Sequence, residues 1–325
     1  MKILIITDNI KGQVNGVATT YKNIESIARN RGHDIVYIDA GDFSHIDCPL
    51  YPEVKLSFPW RIGKKIKAMD ADRIHIATEG PVGLMAKLFC DFKKIEYTTA
   101  YHTKFPEFIQ SLTKIPTWLT YPYFKWFHKK SKTVLVPTYS VLNELKERGF
   151  GNIKVWTRGV SKDIIKERTN FDNSIILKVL CVSRVSKEKG LDDLCQLQDK
   201  YNITIVGQGP YLNTLARKYK KVNFTGYKFG QELAEEYIRN EVFCFPSKTD
   251  TFGVVMIEAM ANGLPVAAYP VTGPVDVIIP NITGYMSEDL EFAIEQCRKY
   301  DKKKIQKESI ENWTWEKATD QFLGE

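Results

Sequence analysis

Asp250 and Glu258 stand eight residues apart in the stretch Pro246 to Val266, and Arg184 and Lys189 stand five apart in Val182 to Gly190. A small-residue loop runs from a strand ending at Phe245 to a helix beginning near Phe252. The free amides and positive dipole end of that helix make a seat for a diphosphate. From the first turns of the helix, the Glu258 carboxylate can accept both hydroxyls of a ribose. Asp250, on the loop before it, can hold hydroxyls of a sugar. Arg184 and Lys189 follow a strand and both can reach a diphosphate. When such a group departs it gains negative charge, and fixed cations in a closed site stabilise that charge where it develops. Thr251, Phe252, Gly253 and Val254 complete the loop, and Gly209 and Tyr227 lie just beyond two other strands of the same half. In Gly207-Gln-Gly209, glycine permits close approach of a ligand or of the other lobe. Each of these residues also has a plain structural reading, with Asp250 or Thr251 as an N-cap, Glu258 as a solvated helix residue and the cations as a surface run.

The first half offers a second set. Gln13-Val-Asn15-Gly16 closes the first strand-helix loop, where Gly16 can bring backbone amides toward phosphates. His102 and Lys104 follow the strand Ile95 to Thr99, and Glu79-Gly80 ends another strand, so both segments belong on an acceptor side. The first loop lacks GxGxxG, which counts against a dinucleotide-dependent dehydrogenase. Asp70-Ala-Asp72 precedes its strand and so sits at the wrong end of a sheet for a metal-binding acidic pair.

The elements that must position these groups alternate. Apolar strand-length runs at Lys2 to Thr7 and Lys178 to Ser183 each open an α/β unit. Further strands are expected at 34–38, 73–77, 133–136, 203–206, 222–225, 242–245 and 266–268, with helices such as Val17 to Arg29 and Pro81 to Phe92 between them. Parallel sheets with ligand sites outside the strand carboxyl ends follow. The expected fold class is therefore α/β with two Rossmann-like lobes and a cleft between them. The expected domains are 1–160, a polar linker 161–175, 176–308, and a segment 309–325 that packs back on the first.

At 325 residues and 43% hydrophobic content the chain is long enough for two cores. Its net charge of +7 is uneven. Residues 1–160 carry 24 Lys plus Arg against 15 Asp plus Glu, and the remainder 22 against 24, so the first half is the basic one. A basic lobe suits an anionic partner or is simply a soluble surface. Two basic, aromatic stretches, Trp60 to Lys67 and Tyr121 to Lys132, read either as ordinary amphipathic helices or as peripheral contact with an anionic membrane. No apolar run approaches the ~20 residues of a spanning helix. The strand at the very start and six scattered cysteines without a CxxC pair point to a cytoplasmic protein with reduced thiols and no cysteine metal site.

Taken together, these segments resemble the family 4 glycosyltransferases. The likeness runs over nearly the whole chain: Asn15-Gly16-Val17, His102-Thr-Lys-Phe-Pro106, Arg184 to Lys189-Gly190, Asp250 to Glu258, and Ala261-Asn-Gly263-Leu-Pro265-Val266. Thr249 to Gly253 and Pro270 to Pro274 are most similar to α-mannosyltransferases and glycolipid-forming members. The resemblance implies the two-lobed GT-B fold, retention of anomeric configuration, a nucleotide-sugar donor as co-substrate, no cofactor and no catalytic metal. It implies that Arg184 and Lys189 bind the diphosphate, Glu258 the ribose, Asp250 the sugar hydroxyls, and His102 the sugar near the reacting centre. Front-face displacement follows, in which the acceptor hydroxyl of a glycan or lipid attacks on the side the diphosphate leaves. Trp313-Thr-Trp315-Glu resembles the family's final helix. Two departures stand out: Asp250 replaces the usual Glu, and Ser161 replaces the usual Asp after Arg158-Gly-Val. A GT-B epimerase or phosphorylase would also bind a phosphorylated sugar but would release product without an acceptor. A nucleic-acid-binding protein would use the basic half, yet no recognised motif accompanies the charge, so no nucleic acid is expected.

Overall fold

A computed structural model describes residues 1–10, 15–48, 51–167 and 175–324. The chain divides into two compact units, Met1–Thr157 with Trp315–Glu325, and Arg158–Thr314. The first unit contains β1 (Lys2–Ile6), β2 (Asp34–Ile38), β3 (His45–Cys48), β4 (Tyr51–Ser57), β5 (Arg73–Ile76), β6 (Thr98–Ala100), β7 (Val134–Val136) and β8 (Ile153–Val155). The second contains β9 (Lys178–Val182), β10 (Asn202–Val206), β11 (Asn223–Gly226), β12 (Val242–Phe245), β13 (Val266–Ala268) and β14 (Gly284–Met286).

Each unit is built on a six-stranded parallel sheet, in the order β2-β1-β5-β6-β7-β8 and β11-β10-β9-β12-β13-β14. Period-two alternation explains the burial on both faces. Leu180 and Phe243 enter one core of the second sheet, while Val179, Cys181, Val242 and Cys244 enter the core on the opposite face. Ile3 and Ile5 are likewise separated from Leu4 and Ile6. Strand order reverses between β1 and β5 in one sheet and between β9 and β12 in the other, and loops at those two points are where an open α/β sheet receives ligands.

The expected strands are present within a few residues of their bounds. Four strands were not anticipated: the edge strands β8 and β14, and the antiparallel pair β3–β4. The unit boundary falls after Thr157 instead of Val160. The return to the first unit begins at Trp315, later than the expected 309. The reason is that the helix Lys302–Asn312 stays on the second unit, where Ser309 Oγ donates to the Ile257 carbonyl at 3.1 Å and Gln306 Nε2 to that of Ala261 at 2.9 Å. Part of the expected linker, residues 168–174, lies outside the described residues.

The last helix, Trp315–Leu323, buries Trp315, Ala318 and Phe322 in the first unit's core. Trp156 Nε1 donates to the Ala318 carbonyl at 2.8 Å, and Arg73 Nη1 to that of Phe322 at 2.7 Å. Phe322 is fully buried between Trp156 and His75, with ring centroids 5.2 and 5.1 Å away. Phe322→Ala is expected to destabilise the first unit by about 3–5 kcal/mol, the usual cost of emptying such a position. Urea unfolding measures it, and a loss below about 1 kcal/mol would mean the helix is not docked as described.

Candidate functional site

Four loops leave the carboxyl ends of β9, β10, β12 and β13 in the second unit, and glycines let them interlock. A Cβ on Gly207 would lie 1.9 Å from the Ser183 carbonyl oxygen, and one on Gly209 2.3 Å from that of Val185. Val185 N in turn donates to the Gln208 carbonyl at 2.9 Å, so the loop carrying Arg184 is held by the loop carrying Gly209. The close approach expected of Gly207 and Gly209 is thus made by the protein's own backbone. Gly190, with φ +63°, lets its loop meet the Pro246 carbonyl, and Gly273, with φ +94°, backs onto the carbonyls of Asp250 and Phe252.

This framework places Lys189 against Asp250. Lys189 Nζ donates to Asp250 Oδ1 at 2.7 Å and Oδ2 at 2.9 Å, with both side chains largely buried. Burial pushes the Asp250 carboxyl up, but the Lys189 ammonium outweighs it and holds the group below its usual value. The pairing of these two expected site residues with each other, across 61 positions, is not legible from spacing. Arg184 is half-buried on the neighbouring loop, and burial lowers its guanidinium from the usual value.

The helix expected to begin near Phe252 begins at Val254 and runs to Ala261. Phe252 is turned into the core instead, edge-on to Trp313 at 5.4 Å, and Thr251 is buried with it. Gly253 is the N-cap in the left-handed region, φ +81°, with no side-chain cap on the amides that follow. Glu258 lies one turn in. Its Oε2 accepts from the Tyr237 hydroxyl at 2.9 Å, and burial pushes its carboxyl up to about 7. Tyr237 was not anticipated. Tyr227 is exposed after β11 and stacks on Phe229 at 5.8 Å.

In the first unit, Asn15 caps the helix Gly16–Asn30 by accepting from Ala18 N at 2.9 Å, which places Gly16 at its first turn. Gln13 and Val14 of that loop lie outside the described residues. At the β1–β5 switch point the helix Pro81–Lys93 is already capped from within. Asp8 accepts from Val82 N at 2.7 Å and Thr78 Oγ1 at 2.6 Å, and a Cβ on Gly80 would strike its carboxylate at 2.6 Å. Gly80 therefore makes room for Asp8. Glu79 is buried, its Oε1 3.3 Å from His128 Nε2, and burial pushes its carboxyl up. Lys104 donates to Glu144 at 2.6 Å. His102 is partly buried with Nε2 2.9 Å from the Tyr21 hydroxyl, which also contacts His75. Asp72 receives the Lys2 amide at the start of β5, at the amino end of the sheet. Cys90, Cys181, Cys195, Cys244 and Cys297 are buried free thiols. Among the described residues no helix is long and apolar enough to cross a membrane.

Two family models match the chain: Glycosyl transferases group 1 over residues 162–299 and Glycosyltransferase Family 4 over 14–163. The chain is 25% identical to a GDP-mannose-dependent alpha-mannosyltransferase of Corynebacterium glutamicum, over 99% of this chain and 88% of that protein. It is 25% identical to an alpha-monoglucosyldiacylglycerol synthase of Streptococcus pneumoniae, over 83% and 71%. Among solved structures, sucrose-phosphate synthase from Thermosynechococcus elongatus superposes with a TM-score of 0.78 at 17% identity, covering 99% of this chain and 97% of that one.

The interlocked loops predict opposite outcomes for two glycines. Gly207→Ala should cost about 3 kcal/mol or more, through both its φ of +136° and the Ser183 contact. Gly16→Ala, whose Cβ would meet nothing within 4 Å, should stay within about 0.5 kcal/mol of wild type or gain stability. Equal unfolding midpoints for the two variants would contradict the loop packing.

Proposed function

The chain belongs to the family 4 glycosyltransferases and is a hexosyltransferase of the GT-B fold; on that premise we propose that it moves a hexose from a UDP- or GDP-sugar to a glycan or lipid hydroxyl, with retention at the anomeric carbon. The observation that carries this reading is the convergence of Arg184, the Lys189–Asp250 pair and the side-chain-uncapped helix Val254–Ala261 at the switch point of the second sheet. A diphosphate there gives Lys189 a second anionic partner and receives the helix-end amides. Asp250 then turns part of its accepting capacity to sugar hydroxyls, and Glu258, steadied by Tyr237, takes the ribose.

As the glycosidic bond breaks, its electron pair passes to the diphosphate, whose growing charge Arg184 and Lys189 offset. The acceptor hydroxyl attacks from the same face, and its proton passes to a departing phosphate oxygen. No protein nucleophile takes part. His102 holds the sugar near the reacting centre. The two cations supply the charge neutralisation, so the proposal includes no metal, and the five buried free thiols accord with a cytoplasmic setting. The relatives named for GDP-mannose and for diacylglycerol support a nucleotide-sugar donor and a lipid or glycan acceptor.

Contact with an anionic membrane is proposed at one face of the first unit. Phe58, Trp60 and Phe92 are 60, 81 and 77% exposed there. Pro59, Trp60, Ile62, Met85, Leu88 and Phe89 line an apolar groove of about 400 Å³. Exposed Arg61, Lys64, Lys93 and Lys94 supply the charge that anionic headgroups attract.

Arg184→Ala and Lys189→Ala should each lower hexose transfer on the order of 100-fold, as loss of one preorganised donor does. Calorimetric titration with GDP and UDP should find weaker binding in both. Wild-type turnover in both variants would remove the diphosphate assignment. In vesicle sedimentation, the wild-type chain should pellet with phosphatidylglycerol vesicles and not with phosphatidylcholine alone, and Trp60→Glu should lower the bound fraction severalfold. Equal pelleting with both lipids would rule out the membrane face.

A further inference from the structure

His102 is the one residue of the proposed chemistry that lies in the first unit, and its Nε2 is not turned to solvent but 2.9 Å from the Tyr21 hydroxyl. That hydroxyl is also 2.7 Å from Nε2 of His75, whose Nδ1 is 2.8 Å from Thr98 Oγ1. The β5–β6 register sets His75 opposite Thr98, and the helix Gly16–Asn30 lays Tyr21 over both strands. His75 has no exposed surface, and Tyr21 is buried as well. Trp156 and Phe322 wall the line: Phe322 stands edge-on to His75 at 5.1 Å and to Tyr21 at 6.3 Å, and Trp156 lies 5.7 Å from His102.

A phenol has one proton to donate and lone pairs with which to accept. If the Tyr21 hydroxyl donates to one Nε2, it bonds the other ring only by accepting an N–H from it. The two Nε2 atoms are therefore in opposite protonation states. When His75 carries its proton on Nδ1, toward Thr98, Tyr21 donates to His75 and His102 carries a proton on Nε2. When His75 carries its proton on Nε2, Tyr21 donates to His102, whose proton moves to Nδ1. A ring's hydrogen-bond partner sets which nitrogen is protonated, and here the partner is a second ring.

We propose that Tyr21 and His75 are positioning residues for His102: the shared hydroxyl couples the two imidazole tautomers, so the buried ring sets whether His102 Nδ1 meets the sugar as a hydrogen-bond donor or as an acceptor. The inference rests on the glycosyltransferase reading of His102, but the coupling itself lies wholly within the first unit. Burial also lowers the His75 pKa well below its usual value and keeps that ring neutral, as the argument requires. Phe322 gives the last helix a part in this, since it excludes water from the inner ring.

The test is long-range ¹H–¹⁵N spectroscopy of the full chain labelled at its five histidines, with turnover measured on UDP-glucose and GDP-mannose. Tyr21→Phe keeps the ring packing and removes the hydroxyl; Thr98→Val removes the far end of the line. Both should shift the ring-nitrogen resonances of His102 as well as His75. Tyr21→Phe should lower kcat by about 10- to 100-fold, as loss of an orienting partner does, with donor KM within about threefold. An unchanged His102 pattern in Thr98→Val, or unchanged kcat in Tyr21→Phe, overturns the coupling. GDP and UDP affinities on the same samples separate the two claims. If neither nucleotide binds wild type, the enzyme reading fails whatever the imidazoles do. If one binds and His102 is insensitive to Tyr21, the coupling fails alone.

Discussion

The contact of glycine backbone with carbonyl oxygen at the carboxyl edge of the second sheet is the constraint on which the site depends. Gly207 and Gly209 lie against the carbonyls of Ser183 and Val185, Gly190 against Pro246, and Gly273 against Asp250 and Phe252. At Gly190, Gly207 and Gly209 the approach is closer than any Cβ would allow, and at Gly273 a φ of +94° favours glycine as well. Without them the loops after β9 and β12 would spread apart, and Lys189 would lose its reach to Asp250 across the sheet. A bidentate ammonium–carboxylate contact at 2.7 and 2.9 Å between largely buried partners exists only where the backbone holds both stems. The glycines act by geometry, and the charges act through them.

The charges also explain how a carboxylate and a cation can share one largely buried site. Lys189 compensates Asp250 in this state, so neither is buried uncompensated. Among the described residues Glu258 has no such cation. Burial raises it to about 7, and its Oε2 accepts from the neutral Tyr237 hydroxyl. The two carboxylates are set apart by environment more than by their spacing of eight residues.

What could be read beforehand follows from range. Continuous apolar runs made β1 and β9 plain, and glycine, proline and charged residues just after strands marked the loops. The edge strands β8 and β14 are three residues long, and β8 alternates only weakly, so periodicity had too little to act on. Phe252 looked like the first residue of a helix because nothing local shows that Trp313, sixty-one positions later, will receive its ring. The same applies to Tyr237 beside Glu258 and to the Tyr21, His75 and His102 line: bonds spanning 21, 54 and 81 residues leave no spacing signature. The loops and the charged residues on them were legible, while the partners those residues bond were not.

The two sheets share a strand order at their switch points, yet they treat the helix that starts there differently. In the first unit Asp8 occupies the start of Pro81–Lys93, accepting from Val82 N and Gly83 N, and Gly80 is bare so that the carboxylate fits. An internal anion already fills the positive end of that helix. In the second unit Gly253 begins Val254–Ala261 with no side chain to cap it, and Asp250, on the loop before it, is engaged by Lys189. Helix-end amides retain their capacity for an external anion only where the chain has not supplied one. The same architecture thus carries a side-chain cap on the helix in one unit and none in the other, and the difference comes down to which residue the sequence places after the strand: Asp8 after β1, Arg184 after β9.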